Sequence, residues 1–327
     1  MGDFKNEFGW SSSRGRLKKR CDRAFWFRHY GMWDGWSKNA HPGRRIAYRL
    51  SKMNSLVPWS GNLVHDVLQW AVTRISKRLP VSLEDAQHRM RADMVRGWRE
   101  SRGTGWVDKP KHNLNLSEMY YEGETPEVQA RAREMRDRAK ASLDNWWDMG
   151  WPEMLMGLGV DDWVELEGLS KIRFRNMVDI FVQPDLAFWR GGRLWVVDWK
   201  TGSPKEADQR QIMIYAIWAM KKGTKLSDIR SQLVYLGKGN QGEKTMTFTE
   251  DEMRAFADDL WDEIDAVRQQ LHNKEHNVAR AEDFPMTDDK DNCKWCTFRQ
   301  LCYGRGDAPG PLKAGDPEMI ESPEDWR

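Results

Sequence analysis

The stretch LWVVDWKTG, residues 194–202, closes an apolar run with an acid and a lysine one residue apart, Asp198 and Lys200. Just upstream, QPDLAFW and RLWVVDWK flank Gly191-Gly192, and a two-residue Gly-Gly loop suits a β-hairpin because both positions need positive φ. Counting outward from that loop pairs Arg190 with Arg193 and, five steps on, Asp185 with Asp198. Two carboxylates then face each other with Cβ atoms roughly 4.5–5.5 Å apart, a repulsive arrangement unless positive charge stands beside them. Alternation along the strand puts Lys200 on the same face, opposite Gln183. A hard divalent cation such as Mg²⁺ or Mn²⁺, held by Asp185 and Asp198, relieves the repulsion. It also lowers the pKa of a bound water and offsets charge gathering on a phosphate, with the Lys200 ammonium beside it. The chemistry this suits is phosphodiester hydrolysis. An isolated acid-x-lysine triplet is ordinarily a surface ion pair; the hairpin geometry and the apolar run argue otherwise here.

The 327-residue chain carries 52 Lys and Arg against 50 Asp and Glu, a net charge of +2 that hides an uneven distribution. Residues 1–52 hold thirteen basic residues against four acids, a bias that can follow a polyanion such as nucleic acid, although a solvated helix face has the same composition. Residues 307–327 hold six acids against two bases and are rich in proline, as expected of an extended or disordered strap. No run of about 18 apolar residues suggests a membrane span. The first residues, MGDFKNEFGWSSSRGR, lack the apolar segment of a secretory signal, so the expected location is cytoplasmic. Nineteen tryptophans invite stacking on exposed bases, but burial is the usual use of an aromatic ring and most are expected in the core.

The front of the chain reads as helical. Ser13 is a candidate cap for a helix through RGRLKKRCDRAFWFRHYG, with Leu17, Cys21, Ala24 and Phe25 on one inward face. A second helix is expected from Ser60, and others over 83–101 and 126–148. Between these last two, GTGWVDKPKHNLNLSEMYYEGETP lacks periodicity and reads as a long, mobile or substrate-facing loop. From 160 onward, DWVELEGL, KIRFRNMVDIFV, DLAFW and RLWVVDW are expected strands. A helix over 204–221, strands at SQLVYLG and KTMTF, and a helix begun by the capping box Thr249 to Glu252 complete the order. This divides the chain into a mainly helical part (1–150), an α/β core (151–280), a cysteine segment (281–306) and an acidic tail (307–327).

Pro184-Asp185, twelve intervening residues and Asp198-Trp199-Lys200 resemble the signature of the PD-(D/E)XK nuclease superfamily. The run DWKTG followed by Gln211 and Tyr215 is similar to the D-x-K-T and Q-x-x-x-Y motifs of its RecB-like members, and Gln211 and Tyr215 share one helix face. The resemblance implies an α/β, restriction-endonuclease-like core, a mixed sheet flanked by helices. In GNLVHDVL it implies a G-x-x-x-H helix whose His65 joins Asp185, Asp198 and the Trp199 carbonyl as a metal ligand. Lys200 would then act at the water and phosphate, and Gln211 and Tyr215 would place the backbone. Val182 stands where many relatives have glycine, and Asp179 is the rival first acid; Asp185 is preferred because Asp179 would not fall opposite Asp198. Glu165 and Glu167 are further candidate acids.

The four cysteines are Cys21 and the run Cys293, Cys296 and Cys302. In a cytosolic protein this spacing favours metal ligation over disulfides, with zinc one candidate. One N-terminal cysteine plus a C-terminal C-x2-C-x5-C resembles the iron-sulfur clasp of AddB-like and CRISPR-associated exonucleases. That resemblance, over about residues 11–304, implies a [4Fe-4S] cluster joining the helical part to the C-terminus. It also implies a DNA exonuclease acting on single strands or free ends, in repair, recombination, CRISPR adaptation or antiviral defence, with a helicase or nuclease-complex partner. The rivals are a DNA-binding subunit of this fold without activity and a zinc-bound interaction module.

Overall fold

A computed structural model describes residues 5–166 and 168–307. Glu167 and the acidic strap from residue 308 onward lie outside the described residues. The chain opens with β1 (Gly9–Trp10), α1 (Ser12–Arg20) and α2 (Asp22–Trp26), then a π-helical turn over Phe27–Gly31. Ser11, not Ser13, caps α1 by accepting the Arg14 N–H. The expected single helix breaks at Cys21, which is extended (φ −168°, ψ 122°). The break has a tertiary cause. Arg23 donates its backbone N–H to the Pro285 carbonyl and its guanidinium to the Phe284 and Ala281 carbonyls, so α2 takes its direction from the far end of the chain.

Next come α3 (Pro42–Ser51), which was not among the expected elements, and α4 (Leu56–Ser76). The latter begins a turn before Ser60, because Pro58 falls in the first turn, where a missing N–H costs nothing. Helices α5 (Leu83–Arg102), α6 (Gly105–Asp108), α7 (Ser117–Glu122), α8 (Pro126–Asp148) and α9 (Trp151–Met156) follow. The expected loose loop before α8 is instead packed. Trp106, Tyr120 and Tyr121 are buried, and the two tyrosine hydroxyls donate to Gln300 Oε1 and the Thr297 carbonyl, each at 2.8 Å.

The remaining elements are β2 (Trp163–Glu165), β3 (Ser170–Phe174), β4 (Val178–Val182), β5 (Leu186–Arg190), β6 (Arg193–Lys200), α10 (Glu206–Lys221), β7 (Ile229–Tyr235), β8 (Gly242–Met246), α11 (Glu250–Gln269), α12 (Lys290–Lys294) and α13 (Arg299–Asp307). KIRFRNMVDIFV is therefore a hairpin and not one strand, turning through Arg175 and Asn176 at φ 46° and 57°. Five strands form a mixed sheet in the order β2-β5-β6-β7-β8, with β6 and β7 parallel; β1, β4 and β3 form a second, smaller sheet. The Gly191-Gly192 hairpin has both φ values positive, and its ladder runs from Arg190↔Arg193 to Leu186↔Val197, in the register expected from the sequence.

Strand β6 is sandwiched. Leu194 and Val196 face a core shared with α10, α11 and the small sheet, while Val197 and Trp199 face a second core shared with α4, α5, α8 and α9. Trp199 meets Trp151 and Trp146 edge-on, at 4.6 and 6.1 Å between ring centres. Trp199→Ala is expected to cost about 3–5 kcal/mol, measured by urea unfolding; a loss under about 1 kcal/mol would show that these rings do not hold the helical part to the sheet. Trp10, Trp26, Trp106, Trp146, Trp151, Trp199 and Trp218 are buried in the core, fewer than the expected majority, and most of the other described tryptophans are half-buried.

The two ends of the described chain are bound together by protein contacts. Beyond the Arg23 bonds, Trp26 Nε1 donates to the Ala279 carbonyl, Tyr30 OH to Asn277 Oδ1, and Phe27 stacks on Phe298. Among the described residues no helix is long and apolar enough to cross a membrane.

Candidate active site

Continuing the alternation of β6, Asp198 and Lys200 take the face of Leu194 and Val196 and so look toward α10. Asp185 lies just before β5, on the face of Ala187. It does not complete the ladder: its Oδ2 accepts the Trp199 N–H at 2.6 Å and its Oδ1 lies 3.1 Å from His65 Nδ1. On the other edge of β6, the Leu236 N–H bonds the Lys200 carbonyl. In a parallel ladder successive residues bond to opposite sides, so the Trp199 amide and carbonyl both point toward the Asp185 side.

Asp198 is 2% exposed and is surrounded by donors. Its Oδ1 accepts from Gln211 Nε2 at 3.1 Å and lies 3.3 Å from the Tyr215 hydroxyl, which donates to the Gln183 carbonyl at 2.9 Å. Gln211 reaches both partners of the acid-lysine pair, because its Oε1 accepts from Lys200 Nζ at 3.1 Å. Asp198 Oδ2 lies 2.5 Å from Lys200 Nζ as an ion pair. Burial first, and then the charge of Asp185, push the Asp198 carboxyl up to about 6, against the pull of Lys200. Burial and the same two acids hold Tyr215 well above the usual phenol range, so it stays a neutral donor.

These groups form the floor of a cleft of about 670 Å³. Its walls add residues that the sequence alone did not single out: Arg16 on α1, whose guanidinium donates to Gln211 Oε1 at 3.3 Å, and Asn62 and Asp66 on α4. Burial raises the Asp66 carboxyl. The close approach of α4 explains Gly61, where a Cβ would stand 3.1 Å from Thr201 Oγ1. No sequence signal marks Arg16 or Asn62 as site residues, since both come from elements far from the acid pair.

The other candidates stand elsewhere. Asp179, on β4, is paired with Lys171 and Arg173, which hold its carboxyl below the usual range. Glu165 does not line the cleft: its Oε1 accepts the Leu166 and Gly168 N–H groups, and its Oε2 lies 3.7 Å from Lys222. Among the described residues no three His, Cys, Asp or Glu side chains already stand as a metal-holding group. The donor chemistry nevertheless fits a hard cation, since two carboxylates, Asp185 and Asp198, line one cleft with the His65 imidazole, and the Trp199 backbone lies against Asp185.

The four cysteine thiols act on one another. Burial pushes Cys302 up to about 12, and Cys296, Cys21 and Cys293 push it the same way; burial likewise carries Cys296 to about 11. The Tyr303 hydroxyl donates to Cys293 Sγ at 3.1 Å.

No curated protein matches the chain. A family model does match, across residues 9–303, and thus spans both sheets, the cleft and the helical part that supplies His65 and Arg16; the chain belongs to the PD-(D/E)XK nuclease superfamily, whose members are generally nucleases.

Proposed function

We propose that the chain is a Mg²⁺- or Mn²⁺-dependent DNA exonuclease acting on single strands or free ends. One observation carries the reading: Asp185, Asp198 and Lys200 converge with Gln211 and Tyr215 on the floor of a single cleft. His65, Asp185, Asp198 and the Trp199 carbonyl would hold the divalent ion. When bound, that ion supplies an activated water and charge compensation at the phosphate. Lys200 would orient the water and steady charge on the phosphate oxygens. Gln211 ties Lys200 to Asp198 and so fixes the spacing between acid and ammonium. Tyr215, kept protonated, anchors Gln211 to the Gln183 carbonyl.

We infer in addition that Cys21, Cys293, Cys296 and Cys302 hold a [4Fe-4S] cluster in preference to zinc. Cys21, Cys293 and Cys296 stand close enough to push Cys302 up, which favours a multiply charged cationic centre among them, and all-thiolate ligation suits iron-sulfur chemistry.

The test is end-labelled single- and double-stranded DNA beside a circular control, with and without Mg²⁺. Cleavage of labelled ends with the circle spared is expected; a chain that binds DNA and leaves it intact would be a binding subunit of this fold. In calorimetric titration with Mn²⁺, Asp185→Asn is expected to lose binding and Asp179→Asn to keep it. The reverse result would move the first acid to the smaller sheet.

A further inference from the structure

Beside the cleft, the helical part carries four cations that no carboxylate among the described residues pairs. Arg14 lies over the ring of Phe181, 5.6 Å from its centre, and Phe181 belongs to the cleft wall. Moving outward, His29 is held neutral, its pKa pushed down to about 2 by burial and then by Arg14 and Arg28. Arg28 is open to solvent, yet the surrounding protein lowers its pKa.

Beyond it is Lys52, which follows α3 and is pushed down to about 8 by burial, then by Arg28 and by Lys111 from the segment after α6. Lys52 Nζ stands 5.2 Å from the centre of the Tyr48 ring, Tyr48 meets Trp36 edge-on at 5.8 Å, and Trp36 is 44% exposed.

Among the described residues none of Arg14, Arg28, Lys52 and Lys111 enters an ion pair. Neighbouring basic groups are neutralised, Lys171 and Arg173 by Asp179, Arg210 by Asp259 and Glu263, and Lys19 by Glu263. A plain solvated helix face would draw its cations from one helix; here they come from four separate segments and stand unpaired beside one another, which suits a polyanion.

We propose that these four residues form a phosphate track along which a single-stranded nucleic acid leaves the cleft, with a base stacking on Trp36 at its outer end. The exposed ring beside the cations selects a single strand, because a duplex hides the faces of its bases. The proposal rests on the nuclease reading above.

The test measures binding of fluorescein-labelled oligo-dT of twenty nucleotides to the full chain in EDTA across a salt series. Arg28→Gln/Lys52→Gln/Lys111→Gln is expected to lower the salt slope by about 2 and to weaken binding at least about tenfold at 100 mM salt. Arg28→Lys/Lys52→Arg keeps the charges and is expected to keep the slope, which a purely structural role for these side chains would not allow. Trp36→Ala is expected to weaken binding by about 5- to 100-fold with the slope unchanged. A triple variant with wild-type slope and affinity overturns the track, as does an equal loss for a blunt duplex of the same length. If the wild type fails to cleave any DNA while the triple variant still loses binding, the nuclease reading falls and the track stands.

Discussion

Replacing Asp198 by asparagine is expected to abolish Mg²⁺-dependent cleavage, by about a thousandfold or more, and to raise the melting temperature of the metal-free protein. The two effects share one origin, a carboxylate buried beside another carboxylate. The folded-state pKa of about 6 lies above the ordinary value of 3.8. Between those values the folded state binds more protons than the unfolded state, so stability falls as pH rises through that window. Above it the buried charge costs about 3 kcal/mol, which the amide does not incur. The variant's advantage in thermal melting is therefore expected at pH 7.5 and is expected to shrink as pH falls toward 4. Lys200→Ala should also lose cleavage but with the opposite sign in stability, because it strips the ammonium from Asp198 Oδ2. A variant of Asp198 that retains full cleavage would remove this residue from the site; one that is less stable at neutral pH would mean that Lys200 fully compensates the charge.

Cys21→Ser is expected to lose bound iron as completely as Cys296→Ser, although the two positions lie at opposite ends of the described chain. Anaerobically purified wild type should be brown, with about four irons and four sulfides per chain, and both serine variants colourless. Their melting temperatures should fall, since a centre that ties distant segments restricts the unfolded chain and binds the folded one. The variants should still fold, because Arg23, Trp26 and Tyr30 bind residues 277–285 without any help from sulfur. Asp198→Asn should keep its colour. Colourless wild type carrying one zinc would replace the cluster with a structural zinc and leave the cleft untouched.

What could be read from the sequence was what is locally encoded. Gly191-Gly192 sets a register that needs no distant partner, and from it follow the face and order of Asp198 and Lys200. Gln211 and Tyr215 were marked by the resemblance to a Q-x-x-x-Y motif, and helical spacing then puts both on one face. Where tertiary contacts overrule local preference, the reading failed. Arg175 and Asn176 turn the chain at positive φ without glycine, so the hairpin of β3 and β4 looked like one strand. Cys21 interrupts a periodic helix because residues 281–285 capture Arg23. The segment before α8 seemed loose because its partners, Thr297 and Gln300, lie far along the chain. Asn62 and Arg16 were invisible for the same reason, since their place in the cleft is a property of the assembled fold.

The long-range bonds of Arg23 also bear on how the protein is made. At about 5–20 residues per second of synthesis, α2 leaves the ribosome roughly 10–50 s before its carbonyl partners at 281, 284 and 285 exist. Throughout that interval Phe25, Trp26 and Phe27, all buried in the finished protein, have no C-terminal segment to cover them. The nascent chain thus exposes this aromatic cluster until residues 277–298 have been translated. A product truncated before residue 277 is expected to leave these rings uncovered and to be degraded faster than the full chain in a pulse-chase measurement.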